Sequence, residues 1–335
     1  MRVLLATPSS SERLHNLVPL GWALRAAGHE VQVAGAPAFT PVINATGLVA
    51  VAVAADGDAT GGEDRELARH LARWQPDVVV HDEHAHTAAT AAASVGALSV
   101  RMLLCGSDGG TEGPGTGPAG QPRLTIDPTP EPLRAPLDPS HLPVRHVPYA
   151  GSAELPGWLR RMPKRPRVAL TLRGEKAPVG MVLAVLGTLD VDVVAALPVD
   201  RLPQGTAVPD NIRLFDTVPT SALLDSCSFV VHDGGVSAVA DALSYGLPQV
   251  VLVGDDSGAT ASAARRLAEH GAALVAEPDQ QDGAGAAGLV RRLVREPQYR
   301  EAAARLRHKQ LAVPSPRDLV QVLAHAAANR ADRAN

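Results

Sequence analysis

FVVHDGGVSAVADALSYGLPQVVLV, residues 229–253, decides the fold. Residues 229–232 form an apolar run of strand length. Asp233, Gly234 and Gly235 follow, then a helical run over 236–245 that stops at Gly246. Residues 249–253 are strand-like again. A strand, a tight glycine turn, a helix and a second strand make a βαβ unit, and such units build parallel sheets. Paired glycines let a ligand approach the backbone closely. The start of the helix offers N–H groups and the positive end of its dipole, which suits a diphosphate. His232 would add a donor, and Ser237 a hydroxyl in the first turn. A plain strand-to-helix turn, needing glycine only for its geometry, accounts for the same residues.

Outward from this unit the alternation recurs. Upstream, strands are expected at 167–172, 191–196 and 211–215, with helices at 180–189 and 221–226. Downstream come a helix at 261–270, a strand at 273–276 and helices at 284–295, 299–312 and 316–329. The amino-terminal half starts with a strand at 2–7, a polar loop, a helix at 17–27 closed by Gly28, and a strand at 30–34. Helices at 64–74 and 86–95 alternate with strands at 77–80 and 97–104. Order then fails. Residues 106–120 are dense in Gly, Pro and Thr, and prolines recur up to Pro166. The linker is placed near 158–166. Strand–helix alternation on both sides of it predicts an α/β protein that is doubly wound twice over. The expected domains are 1–160 and 161–312, with a final helix in 313–335 packing back toward the first.

Length and composition agree. The chain's 335 residues exceed what one hydrophobic core usually supports. A net charge of −4 gives no basic field for nucleic acid. Cys105 and Cys227 follow no metal or redox spacing, so a reducing compartment is expected. No apolar run reaches the roughly 20 residues of a membrane span, and the first residues lack a signal peptide's pattern. A cytoplasmic location is expected.

Ligands of open parallel sheets bind beyond the carboxyl ends of the strands. In the second half those positions include Arg173, Gly174, Asp216, His232 to Ser237, and Gly254 to Asp256. Here the sequence resembles a known family. PLGWALRAAGHEV, TIDPTPEPLR, PVRHVPYAG, LPGWL, RPRVALTL, DTVPTSALLDSCSFVVHDGG and ALSYGLPQVVL are similar to stretches of the GT-B glycosyltransferases of antibiotic pathways. The similarity is strongest to those that move deoxyaminosugars onto macrolides and aromatic polyketides. It implies two Rossmann-like domains facing each other across a cleft. It also implies a nucleoside-diphosphate sugar, most simply a dTDP-sugar, in the carboxyl-terminal half and an aglycone in the other. Transfer would be inverting, with no metal and no cofactor beyond the donor. The implied donor residues are His232, Gly234, Gly235, Val236, Ser237, Arg173, Gly174, Val218, Asp255 and Asp256.

The chain departs from the family pattern at several points. The family's donor block reads His-His-Gly-Gly-x-Gly-Thr or Ser, whereas this chain has Asp233 at the second position and Ser237-Ala238 at the end. A carboxylate there repels a diphosphate unless it points away. An Asp-Gln pair that grips the sugar is replaced by Asp255-Asp256, and a Gly after the first donor strand by Arg173. The family's basic His after the first strand stands here as Arg13, which cannot accept a proton. His15 or Asp108 would then act on the acceptor hydroxyl; the alternative is that His15 is a solvated loop residue and Asp108 a loop cap. Arg13, His81 and His84 would contact the acceptor. The amino-terminal domain is shorter than the family's, with the Gly/Pro stretch standing where helices form an acceptor pocket and meet an auxiliary protein.

Other signals carry less. Gly113, Gly115, Gly117 and Gly120 resemble a dinucleotide fingerprint but follow no βα turn, so a flexible loop is expected. His81, Asp82, Glu83, His84 and His86 cluster in sequence, but a strand end entering a helix does not bring three of them onto one metal. Arginines in 291–295 and 300–307 read as solvated helix faces. Two functions stay open. One is an enzyme taking a nucleotide sugar and a small-molecule aglycone, with an activator protein or a second copy as further partner. The other is a degenerate relative serving an active transferase as an auxiliary.

Overall fold

The apolar runs become strands that pair in parallel, in two separate sheets. The computed structural model describes residues 1–53, 62–107, 124–134, 141–152, 154–161, 163–172, 174, 177–216, 218, 220–254, 258–277 and 283–334. The first unit comprises Met1–Thr129, Arg134–Ser152 and Val313–Asn335; the second comprises Pro130–Leu133 and Ala153–Ala312.

In the first unit the strands are β1 (Arg2–Ala6), β2 (Glu30–Gly35), β3 (Val49–Ala52), β4 (Val78–Asp82), β5 (Leu98–Met102), β6 (Leu124–Asp127) and β7 (His141–Pro143). They lie in the order β3-β2-β1-β4-β5-β6-β7. The helices are α1 (Ser11–Ala26), α2 (Thr40–Ala45), α3 (Gly62–Trp74) and α4 (His86–Ser94). Alternate side chains leave opposite faces of a strand, so Leu5, Val33 and Val80 pack with Leu17, Leu20 and Leu24 of α1. Leu4 and Val79 pack on the other face with Leu67 and Leu71 of α3 and Ala88 and Ala92 of α4.

The second unit repeats this plan. Its strands are β8 (Arg167–Thr171), β9 (Asp192–Ala196), β10 (Ile212–Phe215), β11 (Phe229–His232), β12 (Gln249–Leu252) and β13 (Ala273–Ala276). Their order is β10-β9-β8-β11-β12-β13, again all parallel. Around them lie α5 (Val179–Gly187), α6 (Thr220–Asp225), α7 (Val236–Ser244), α8 (Gly258–Glu269), α9 (Gly283–Arg295) and α10 (Gln298–Leu311). β4 and β11 are buried along their whole length, as strands covered on both faces must be.

Three expectations are corrected. α1 begins at Ser11, so His15 is helical rather than part of a polar loop. Pro19 inside it removes one backbone bond, but Leu14, Leu17, Val18, Leu20 and Leu24 bury a continuous stripe that holds the helix against the sheet. The Pro-rich stretch carries two further strands, β6 and β7, which lengthen the first sheet. The change of unit falls after Ser152 rather than near 160. Within the second unit, Leu133 packs among Val239, Leu243 and Leu267, and its carbonyl accepts from Arg266 at 2.9 Å.

The last helix, α11 (Pro316–Ala334), belongs to the first unit. Leu319, Val320 and Leu323 complete the core that α1 starts. Leu323 is fully buried. Leu323→Ala is expected to destabilise the first unit by about 2–5 kcal/mol. Scanning calorimetry should show that unit melting several degrees lower while the second unit's transition stays in place.

Candidate functional site

In each sheet the winding reverses once: between β1 and β4 in the first, between β8 and β11 in the second. At such a reversal the connecting helices leave to opposite faces and open a crevice at the carboxyl ends. His81 of β4 and His232 of β11 occupy the same position in the two sheets, each opposite the last residue of its neighbour. Ala6 pairs with His81 and Thr171 with His232. Both runs read Val-Val-His-Asp, at 79–82 and at 230–233.

In the second unit, His232 is 1% exposed and points into the fold rather than toward a ligand. Its Nδ1 accepts from Gly234 N–H at 3.1 Å, so the proton sits on Nε2, which donates to Gln249 Oε1 at 2.9 Å. Gln249 cannot turn over, because its own amide donates to Val239 O at 3.1 Å. Burial holds the His232 imidazole below its ordinary pKa, against the pull of Gln249 and of the Asp233 charge. The expectation that His232 donates to a ligand is therefore corrected: both ring nitrogens are already engaged inside the protein.

What His232 does is fix the glycine turn. Gly234 has φ of 95° and Gly235 φ of 88°, two successive left-handed residues that side chains resist. Gly235 is exposed, and α7 starts immediately after it. The first bond of that helix runs from Val239 N–H to Gly235 O at 3.1 Å. The amides ahead of it, those of Val236 and the half-buried Ser237 included, lie in the opening turn, where the dipole is positive. Asp233 does not stand unmatched beside them. Its Oδ2 accepts from Gly174 N–H across the β8–β11 reversal, and the Gly174 carbonyl accepts from Arg201 at 2.8 Å. Val218, partly buried, packs against the apolar cluster of Leu223, Leu224 and Val230. Arg173, Asp255 and Asp256 lie outside the described residues, as do Asp108 and the glycines of 113–120.

In the first unit the same reversal carries charge. Arg13, on α1, places its guanidinium 2.7 Å from Asp82 Oδ1 and 3.5 Å from Glu83 Oε1. The Asp82 carboxylate is 1% exposed, and its Oδ2 is buried without a hydrogen-bond partner. Burial pushes its pKa up, against the His84 amide at 2.9 Å and Arg13. Glu83 accepts from Leu104 N–H at 3.2 Å and from the Ser107 hydroxyl. His84 stands half-exposed with Nδ1 3.6 Å from Asp82 Oδ1 and 4.0 Å from Glu83 Oε1. A pocket of about 340 Å³ opens here, lined by Thr7, Pro8, Gly35, Val53, His84 and Thr87 among others.

His81 does not join that group. It is buried and bonds Ser99 Oγ at 3.2 Å and the Asp82 carbonyl at 3.1 Å. His15 lies two residues from Arg13, some 200° round the helix, and meets Tyr149 edge-on with centroids 5.0 Å apart. Burial lowers its pKa. The sequence pointed to the carboxyl end of each sheet but not to the partners found there: Asp82 and Glu83 for Arg13, and Gln249 and Gly174 for the glycine turn. The repeated Val-Val-His-Asp was the available signal.

Comparison with known proteins fits this geometry. The erythromycin biosynthesis protein CIII-like family matches twice, its C-terminal domain at residues 180–326 and its N-terminal domain at 22–61. Tylactone mycaminosyltransferase of Streptomyces fradiae is 32% identical over 96% of this chain and 92% of its own length. Aclacinomycin-T 2-deoxy-L-fucose transferase of Streptomyces galilaeus is 30% identical over 96% and 95%. The latter alignment runs over 424 positions, more than the 335 residues present, so that relative carries stretches with no counterpart here. Among solved structures, spinosyn forosaminyltransferase SpnP superposes with a TM-score of 0.87 at 32% identity, covering 98% of this chain and 99% of its own. The glycosyltransferase VinC, solved with dTDP, also reaches 0.87, at 30% identity over 98% and 100%. Two parallel sheets of one winding, a glycine turn feeding a helix in the second, and these full-length likenesses agree: the chain belongs to the erythromycin biosynthesis protein CIII-like family of GT-B glycosyltransferases.

Proposed function

We propose that this glycosyltransferase moves a deoxysugar from a dTDP-sugar onto a hydroxyl of a polyketide-type aglycone, by a single inverting displacement that uses no metal. The observation that carries the reading is the pair of left-handed glycines, Gly234 and Gly235, at the start of α7. The turn they form presents the opening amides of α7 and its helix dipole where the leaving diphosphate gathers charge. That positive end does the work a cation would otherwise do. Asp233 is compatible with it because Gly174 N–H holds the carboxylate toward β8. Ser237 adds its hydroxyl from the first turn. The dTDP in VinC and the deoxysugar transferase names of the relatives support the choice of donor.

The acceptor side belongs to the first unit. Its pocket of about 340 Å³ falls in the size range of small-molecule sites. Val53, Leu67 and Pro8 offer apolar contact, and Thr7, Ser9 and Thr87 offer hydroxyls. Such a lining suits a largely apolar aglycone with a few oxygens. His84 is part of that lining, whereas Arg13 and His81 act behind it.

Titration calorimetry with dTDP tests the reading. Saturable binding is expected, and Gly235→Ala, which forces a side chain into φ of 88° at about 1–3 kcal/mol, should weaken it roughly tenfold or more. Absence of binding at millimolar dTDP would overturn the proposal. His232 enters as a buried support, neutral in the fold and protonated more readily when unfolded. Stability of the second unit should therefore be complete above about pH 6.5 and decline as pH falls below it, by up to ~1.4 kcal/mol per unit. Chemical denaturation across that range should show this slope in the wild type and lose it in His232→Gln.

A further inference from the structure

The two Val-Val-His-Asp runs put different chemistry in matching places. Counting on from the paired histidines, Gly234 corresponds to Glu83 and Gly235 to His84. The second unit thus offers backbone donors at the exposed position of its crevice, where the first offers an imidazole. That imidazole is half-exposed, lines the pocket, and keeps Nδ1 toward two carboxylates, Asp82 at 3.6 Å and Glu83 at 4.0 Å. Arg13 offsets part of their charge from the α1 side. Asp82 still has a buried Oδ2 without a partner. A carboxylate near one ring nitrogen favours the tautomer with the proton on that nitrogen and leaves the lone pair on Nε2.

Resting on the acceptor assignment above, we infer that His84 is the general base of the transfer and Asp82 the positioning residue that sets its tautomer. His84 Nε2 takes the proton of the acceptor hydroxyl as that oxygen bonds to the anomeric carbon. The bond from that carbon to the diphosphate oxygen breaks, and dTDP leaves with the electron pair. The proton then passes from His84 to water, so the products are the glycoside, dTDP and one proton. Arg13 cannot take this part, since a guanidinium does not give up its proton in proteins. His15 faces Tyr149 rather than this group of side chains.

Nitrogen-15 NMR of the full chain, with His84 identified by His84→Gln, tests the tautomer without any substrate. An unprotonated Nε2 is expected in the wild type, with a shift toward the Nε2–H form in Asp82→Asn. A wild-type ring already protonated at Nε2 only, or one that Asp82→Asn leaves unchanged, overturns the inference. Turnover is then followed with dTDP-glucose and 4-methylumbelliferone. His84→Ala should lower kcat 100-fold or more, with part of the rate restored by added imidazole and dTDP binding unchanged. Full turnover in His84→Ala, or a loss seen in His15→Gln instead, overturns it. Loss of dTDP binding by the wild type itself would strike the transferase reading first; intact dTDP binding with the wrong tautomer would strike only His84.

Discussion

The reversal of strand order is the constraint on which the rest depends. A parallel sheet needs crossover helices, and right-handed crossovers place successive helices on one face until the order turns. The turn falls between β1 and β4 and again between β8 and β11. Only there do two neighbouring strands send their chains to opposite faces. Backbone groups at those carboxyl ends then lack a covering helix, and polar residues can gather without disturbing either core. The Arg13–Asp82–Glu83 group and the Gly234–Gly235 turn stand at these two places.

What each unit makes of its reversal follows from a few side chains. A buried histidine stands at or next to the end of each central strand and is tied to the next strand over, His81 to Ser99 and His232 to Gln249. An aspartate follows and reaches back across the reversal, Asp82 to Arg13 and Asp233 to Gly174. These four residues are framework. The following two residues differ: Gly234 and Gly235 in the second unit, Glu83 and His84 in the first. A short duplicated phrase thus supports two different sets of side chains at matching places in the two sheets.

Much of this was legible in the sequence. Fully apolar runs such as 78–80 and 229–231, bounded by turn residues, read as strands buried on both faces, and the regular return of helices between them implies parallel sheets. The glycine turn at 234–235 was legible because few other residues adopt its backbone. Three features were not. Leu14 extends α1 back to Ser11 through burial in the core of the first sheet, which no local propensity foretells. β6 and β7 are short, lie among prolines, and owe their existence to the edge offered by β5. The inward turn of His232 depends on Gln249, seventeen residues away, and an isolated histidine beside glycines looks the same whether it faces a ligand or the core.

The last helix has a consequence for how the protein is made. α11 fills the core that α1 opens, yet the whole second unit is encoded between them. On the ribosome, the first sheet can pair its strands early but must keep an apolar face uncovered until Leu319 to Leu323 emerge. At 5–20 residues per second that wait is on the order of ten seconds or more. The second unit, which is nearly contiguous in the chain, has no such delay. Biosynthesis thus leaves the domain begun first to be finished last, and chaperone contact during translation should concentrate on the surface that α11 finally covers.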